Sequence, residues 1–258
     1  MSSTPPPGLS QPAENTAPAL SQVQRVINAF AAPSKTFEDI RRNAMWWAPW
    51  LLIFIASIAF SVMFVQKIDF DQMVRQQIAN SSAAAQQQFE SLPKDQQERR
   101  IAIGVKISKV VPYLIPVFGL LFSLLFALIF WGAFNFIHAA ELSFGRSLAI
   151  VIYSSLPSVI YLLLGIITLA LKADTEGMNP RNMVATNIAY FMDYTTAPKF
   201  LYGMAGAVDV ITWWNIALLG LGFKINSANR KLSTGAAVAT VGGMYLAYKL
   251  IVSALGFV

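Results

Sequence analysis

The stretch VVPYLIPVFGLLFSLLFALIFWGAFNFI, residues Val110–Ile137, contains no Asp, Glu, Lys or Arg. A bilayer's hydrocarbon core is about 30 Å thick, and a helix rising about 1.5 Å per residue crosses it with about 20 apolar residues. Four more runs of this kind flank it: Trp46–Val65, Leu148–Leu171, Gly203–Phe223 and Gly235–Val258. The runs at 46–65 and 148–171 are also free of charge; the last two carry one charged residue each, Asp209 and Lys249. The pattern predicts an all-α fold, a polytopic integral membrane helical bundle with five transmembrane helices.

Composition points the same way. The chain is 55% hydrophobic and 12% charged, about half the charged fraction of a soluble domain. Its 258 residues leave room for one bundle and its connections, without a second folded domain. The absence of cysteine excludes disulfides, thiolate catalysis and cysteine metal sites. A net charge of +6 suits anionic lipid surfaces, and the scatter of the basic residues speaks against nucleic acid.

Three regions follow. Residues 1–20 hold five prolines among Ser, Thr, Gln and Ala, a composition that predicts a disordered tail. Residues 21–45 predict two amphipathic helices. Ser21 can cap the first, with Val23, Val26, Ile27 and Phe30 on one face; Pro33 ends it. Thr36 can cap the second, with Asp39 as a weak capping-box partner and Phe37, Ile40 and Ala44 as its apolar face. Such segments lie in the headgroup region or dock on the bundle ends. Residues 46–258 form the five-span domain. Trp46, Trp47 and Trp50 mark the interface at the first span, and Trp213 and Trp214 lie near the start of the fourth.

The connections add detail. Gln66–Lys109 predicts two helices outside the bilayer, broken near Leu92–Pro93. Pro112 and Pro116 predict a bent start to the second span. Pro157 falls inside the third, near hydroxyls of Ser154, Ser155 and Ser158 that can satisfy freed carbonyls. Lys172–Tyr202 predicts an amphipathic helix starting at Asn179–Pro180, with Met183, Val184, Ile188, Phe191 and Met192 as its stripe. Gly235, Ala239, Gly243 and Ala247 form a small-residue ridge for helix packing, chiefly within the monomer and alternatively between two copies. The short loop 224–234 carries Lys224, Arg230 and Lys231 and no acid. Short basic loops stay inside, which predicts a cytoplasmic N-terminus and an outside C-terminus.

Candidate site residues are few. Asp209 is the one acid within a run; it is a functional candidate by default, with a helix cap as the simpler role. Asn215 and Asn135 are possible intramembrane partners. His138 and Glu141 lie three apart, yet one histidine cannot build a usual metal site. No nucleophile, metal or phosphate-loop motif is present. The expectation is therefore no enzyme, no cofactor and no metal.

Three segments resemble a known family. Phe30–Ile40 followed by Trp46-Trp47-Ala48-Pro49-Trp50, Ile152-Tyr153-Ser154-Ser155-Leu156-Pro157, and Val208–Gly222 with its Asp209…Trp214 opening resemble bacterial members of the YIP (Ypt/Rab-interacting) family. The resemblance implies a five-span protein with a cytoplasmic N-terminus. Eukaryotic members bind Rab GTPases, but their Asp-Leu-Tyr-Gly-Pro motif is missing here, so Rab binding is not carried over. The expected role is organising or scaffolding membrane proteins or lipids in the bacterial cytoplasmic membrane, with lipids, an unknown protein and a second copy as possible partners. The alternative is a transporter or channel component with Asp209 in the path. A polar cavity joining Asp209 to Asn135 would favour that alternative; apolar closure of the bundle would favour the first role.

Overall fold

The computed structural model describes residues 19–172, 179–180 and 182–256. The tail expected over residues 1–20 lies outside them but for Ala19 and Leu20, as do Asp174, Glu176 and Arg181. The described chain is helical: α1 Gln22–Ala31, α2 Pro33–Ile40, α3 Trp47–Lys67, α4 Phe70–Ala79, α5 Ala83–Glu90, α6 Lys94–His138, α7 Phe144–Ser154, α8 Pro157–Leu171, α9 Lys199–Gly206, α10 Val210–Asn226 and α11 Thr234–Ala254. A single 3-10 turn spans Ile188–Phe191.

Four stretches are long and apolar enough to cross a membrane: α3, α6, α7 with α8, and α11. Half of the apolar window of α7–α8 is buried, against 11–17% for the others, so α7–α8 runs through the centre. The outer helices turn apolar side chains outward. Phe118, Leu121, Phe122, Leu125 and Phe126 of α6 are each about half exposed, a surface no water-soluble fold maintains over such length.

The fourth run does not form one helix. It divides at Asp209, and α10 alone has 17 residues, about 26 Å of helix and short of a full hydrocarbon core. The break has a local cause. Asp209 takes an extended backbone and pairs with Asn187 in an isolated bridge.

The second run is longer than expected. The segment before it does not form a separate helix: α6 is continuous over 45 residues with Pro112 and Pro116 inside it, roughly 67 Å long. Pro116 has no N–H to give the carbonyl four residues back, that of Pro112. Ser61 of α3, almost fully buried, donates its hydroxyl to that carbonyl at 2.7 Å and shares it with Ser57 O at 2.8 Å. The connection before α6 therefore holds α4 and α5 and the first turns of α6 itself.

In the third run, α7 ends at Ser154 and α8 begins at Pro157. Ser155 donates to Val151 O at 2.8 Å, and Leu156 N–H reaches Tyr153 O at 3.3 Å, the carbonyl that Pro157 cannot serve.

Residues 182–192 form no α-helix. Asn182 and Asn187 exchange side-chain amide hydrogen bonds at 3.1 and 2.8 Å, and Thr186 N–H bonds Val184 O at 2.8 Å. Asn187 Oδ1 also accepts from Tyr190 N–H at 3.0 Å, and Asn side chains that bond the backbone locally compete with a helix. The expected stripe is split. Met183 and Val184 are buried with Ile68, Phe70 and Leu169, while Ile188 and Phe191 are exposed.

The main core gathers Phe37, Ile40, Phe134, Ile150, Tyr153, Leu156, Ile216, Phe223 and Val241. Phe134 and Phe223 stack with centroids 4.3 Å apart and planes at 10°.

The ridge on α11 faces the wrong way for packing inside the monomer. Gly235, Ala239, Gly243 and Ala247 are all exposed, and a Cβ on Gly243 would meet nothing within 4 Å. The inward face is Ala237, Val241, Gly242 and Ser253. Close approach uses Gly220 of α10 instead, where a Cβ would lie 2.7 Å from the backbone of Val238.

Candidate functional site

Two polar assemblies sit at opposite ends of the helices. The first locks α1 and α2 into the bundle. Ser21 caps α1 in a full capping box with Gln24. Pro33 occupies the first turn of α2, where its missing N–H does no harm. Thr36 therefore does not cap α2. It lies within the helix and donates to Arg25 O at 2.8 Å. Asp39, expected as its capping partner, instead accepts from Arg25 Nε at 2.5 Å. The guanidinium also donates to Asn43 O at 2.8 Å. Arg25 and Asp39 are 1% and 5% exposed, and a buried pair of this kind holds only while both partners remain.

Three polar side chains of the hairpin, Arg25, Thr36 and Asp39, are buried beside Ala29, Phe37 and Ile40, whereas Val23 and Ile27 point out, 69% and 58% exposed. Phe30 meets Trp214 edge to face at 6.0 Å, and Phe37 lies against Gly222, eight residues and about 12 Å further along α10. The hairpin is a wedge along the bundle, not a pair of helices lying flat.

The second assembly surrounds Asp209. One carboxylate oxygen accepts from Thr212 N–H at 2.7 Å, so Asp209 is the N-cap of α10. The other accepts from Thr186 Oγ1 at 2.5 Å. Val210 N–H bonds Thr186 O at 2.9 Å. Asp209 is 8% exposed, and its partners tie the break between α9 and α10 to the 182–187 segment. Trp213 braces the same break with an indole N–H to Ala207 O at 3.0 Å and packs on Tyr245.

An open cavity of about 1260 Å³ lies beside this cap. Its walls include Ser158, Tyr161, Tyr202, Asp209, Asn215 and Lys249. Asn215 donates to Ser158 Oγ at 3.1 Å, while its side-chain oxygen is buried without a partner among the described residues. Near the rim, Asp193 is held below the usual carboxylate range by the hydroxyl and N–H of Thr195 and the hydroxyl of Thr196.

The cavity does not reach Asn135, which has another task. Its side chain accepts from Leu142 N–H at 2.8 Å and donates to Leu142 O at 3.1 Å, and Trp131 donates to the same carbonyl at 2.7 Å. Together they clamp the turn from α6 to α7, where Ala139 and Glu141 take left-handed backbone angles, φ 47° and 52°. His138 and Glu141 do not converge. His138 Nε2 pairs with Thr240 Oγ1 at 2.8 Å, and Glu141 is exposed. Among the described residues no three His, Asp or Glu side chains could hold a metal ion.

The remaining tryptophans divide. Trp46 and Trp50 meet edge to face at 6.3 Å and are partly buried; Trp47 is 49% exposed. Sequence reasoning missed the Arg25–Asp39 pair and the tyrosines of the cavity. The only hint of the pair was one arginine and one aspartate on facing sides of two short helices.

A family model, that of the Yip1 domain, matches residues 27–255. No curated protein and no solved structure matches the chain.

Proposed function

The chain belongs to the Yip1 domain family, and from that membership and its outward apolar helices we propose an integral membrane protein that organises or scaffolds other membrane components without catalysing a reaction. It is a transmembrane protein. In this reading α9 and α10 together make the fifth crossing, the membrane is the bacterial cytoplasmic membrane, and the N-terminus is cytoplasmic with the C-terminus outside. The partners proposed are membrane lipids and at least one further protein.

One observation carries the reading: the bundle is closed by apolar packing. Phe134, Phe223, Ile150, Tyr153 and Phe37 fill its middle, and the polar cavity extends past the Asp209 cap to Asn215 and Ser158 but does not reach Asn135. A solute path through the protein would need polar groups across that core, so the closed core favours an organising role over transport. The wedge of α1 and α2 supports it too, since it gives one face a fixed shape.

Crosslinking in native membranes, followed by identification of co-purified proteins and lipids, tests the reading. A reproducible set of membrane-protein neighbours that is lost on deletion of residues 21–45 is the expected result. Recovery of the same neighbours from any unrelated polytopic protein of equal abundance overturns it.

A further inference from the structure

Where α2 ends and α10 runs into α11, a groove of about 870 Å³ is lined by Lys35, Arg41, Arg42, Lys224 and Arg230, with Glu38 the one acid besides Asp39. Asp39 is turned inward to Arg25 at 2.5 Å, so its charge is matched within the protein. The basic side chains come from two segments far apart in sequence, residues 35–42 and 224–230, and all five are exposed.

The groove has a fixed frame. Asn226, 3% exposed, donates to Phe37 O at 3.0 Å and ties the last turn of α10 to the middle of α2. Asn229 donates to His138 O at 2.8 Å, and Ala228 N–H bonds Ala140 O at 2.9 Å. The connection after α10 is thereby pinned to the end of α6. Cations near helix C-termini can simply offset the helix dipole. That accounts for Arg41 at the end of α2 and Lys224 in the last turn of α10. It does not account for Lys35 in the first turn of α2, nor for Arg230, which lies four residues beyond Asn226.

Position selects the occupant. Along the chain its lining residues end at Arg42, five residues before α3 starts at Trp47, and at Arg230, three residues before Ser233, the N-cap of α11, so both segments of the groove lead directly into apolar helices. At such helix ends a clustered basic surface meets lipid headgroups, and each Lys or Arg near an anionic surface adds to the attraction. Val23 and Ile27 of α1 and Met45 before α3 are exposed apolar side chains of the same N-terminal segment. We propose that this groove is a binding site for the phosphate-bearing headgroup of an anionic lipid. It names the lipid class of the organising role above but needs neither a protein partner nor a particular orientation.

The test uses the full chain purified in mild detergent from membranes containing phosphatidylglycerol. Retained lipid is measured by mass spectrometry, and thermal stabilisation by added phosphatidylglycerol is compared with that by phosphatidylcholine. The variant is Arg41→Gln/Lys224→Gln/Arg230→Gln; the control, with the same loss of charge, is Arg99→Gln/Arg100→Gln/Lys106→Gln on α6. Loss of retained phosphatidylglycerol by about tenfold in the groove variant only is expected, with the selective stabilisation lost alongside it. Free glycerol phosphate leaves the bound lipid in place. Equal retention by the groove variant and the parent, equal loss in both variants, or displacement by glycerol phosphate each overturns the proposal. Failure to find protein neighbours by crosslinking leaves it standing.

Discussion

Gly222 lies so close to Phe37 that a Cβ built on it would sit 2.8 Å from Cε1 of the ring, and 2.7 Å from Cγ2 of Ile150. Both neighbours are fully buried, so neither has room to retreat. Gly222→Ala is expected to lower stability by about 1–3 kcal/mol through overpacking. Gly220→Ala is expected to cost more, because there the obstacle includes the backbone of Val238, which cannot rotate away. Gly243→Ala, with nothing in reach, serves as control. Thermal unfolding in detergent reads all three, and a Gly220→Ala protein as stable as the control would contradict the close contact of α10 with α11.

Removing one partner of the Arg25–Asp39 pair strands the other charge inside the protein. Arg25→Met or Asp39→Leu alone is expected to cost about 3–5 kcal/mol, and the double variant much less. Limited proteolysis between residues 21 and 45 should track the loss in each single variant. Double and single variants of equal stability would show that the two charges are not coupled.

At Asp209 the two oxygens have separate tasks, one on Thr212 N–H and one on Thr186 Oγ1. Asp209→Asn keeps an acceptor at the cap and is expected to stay within about 1 kcal/mol of the parent. Asp209→Leu loses both bonds and is expected to cost about 1–3 kcal/mol. Thermal stability of the two variants decides, and an unchanged Asp209→Leu protein would refute the anchoring role.

Ser61 and Pro116 make a coupled pair through the Pro112 carbonyl. Ser61→Ala is expected to destabilise by about 1–3 kcal/mol, since that carbonyl then has no donor. Pro116→Ala supplies a helical N–H to the same carbonyl. It should therefore rescue Ser61→Ala by about 1 kcal/mol more than it changes the parent. A double-mutant cycle with no coupling would show that Ser61 does not serve the proline.

The absence of cysteine allows a direct test of orientation. Ser91→Cys, in the connection before α6, should react with a membrane-impermeant maleimide in intact cells. Lys231→Cys should react only after lysis, as expected for a short basic loop inside. The reverse labelling pattern would invert the proposed topology.

Much of the architecture was legible because membrane insertion is written in composition. The charge-free runs at 46–65, 110–137 and 148–171 correspond to α3, the later part of α6, and α7–α8. What composition hides is where an apolar backbone breaks. In the run at 203–223 the sequence marks Asp209 as a helix cap, and α10 starts there; the break before it rests on a residue outside the run, Thr186, which supplies both a hydroxyl and a carbonyl. The prolines of α6 lie inside a continuous helix, and the hydroxyl from another helix that serves the Pro112 carbonyl is announced by no local pattern. The two helices of the hairpin, the Ser21 cap and the inward Phe37 and Ile40 follow from the sequence. The Arg25–Asp39 pair does not: Asp39 reads as a capping-box partner of Thr36, and pairing across 14 residues depends on how two short helices fold back. The helix expected over 180–192 lost to reciprocal Asn182–Asn187 bonding, which periodicity does not register.

The length of α6 has a mechanical meaning. Its apolar run starts at Val110, so the sixteen residues from Lys94 to Lys109 carry the helix roughly 24 Å past that point. Val74 of α4 packs on Gly104 midway, 3.0 Å from where a Cβ would be, and stiffens the projection. Gln97 in its second turn donates to Glu90 O and Leu92 O, so the end of α5 is tied to the far end of α6. The projection acts as a ruler, holding the exposed helix α5 at a set height above the apolar zone.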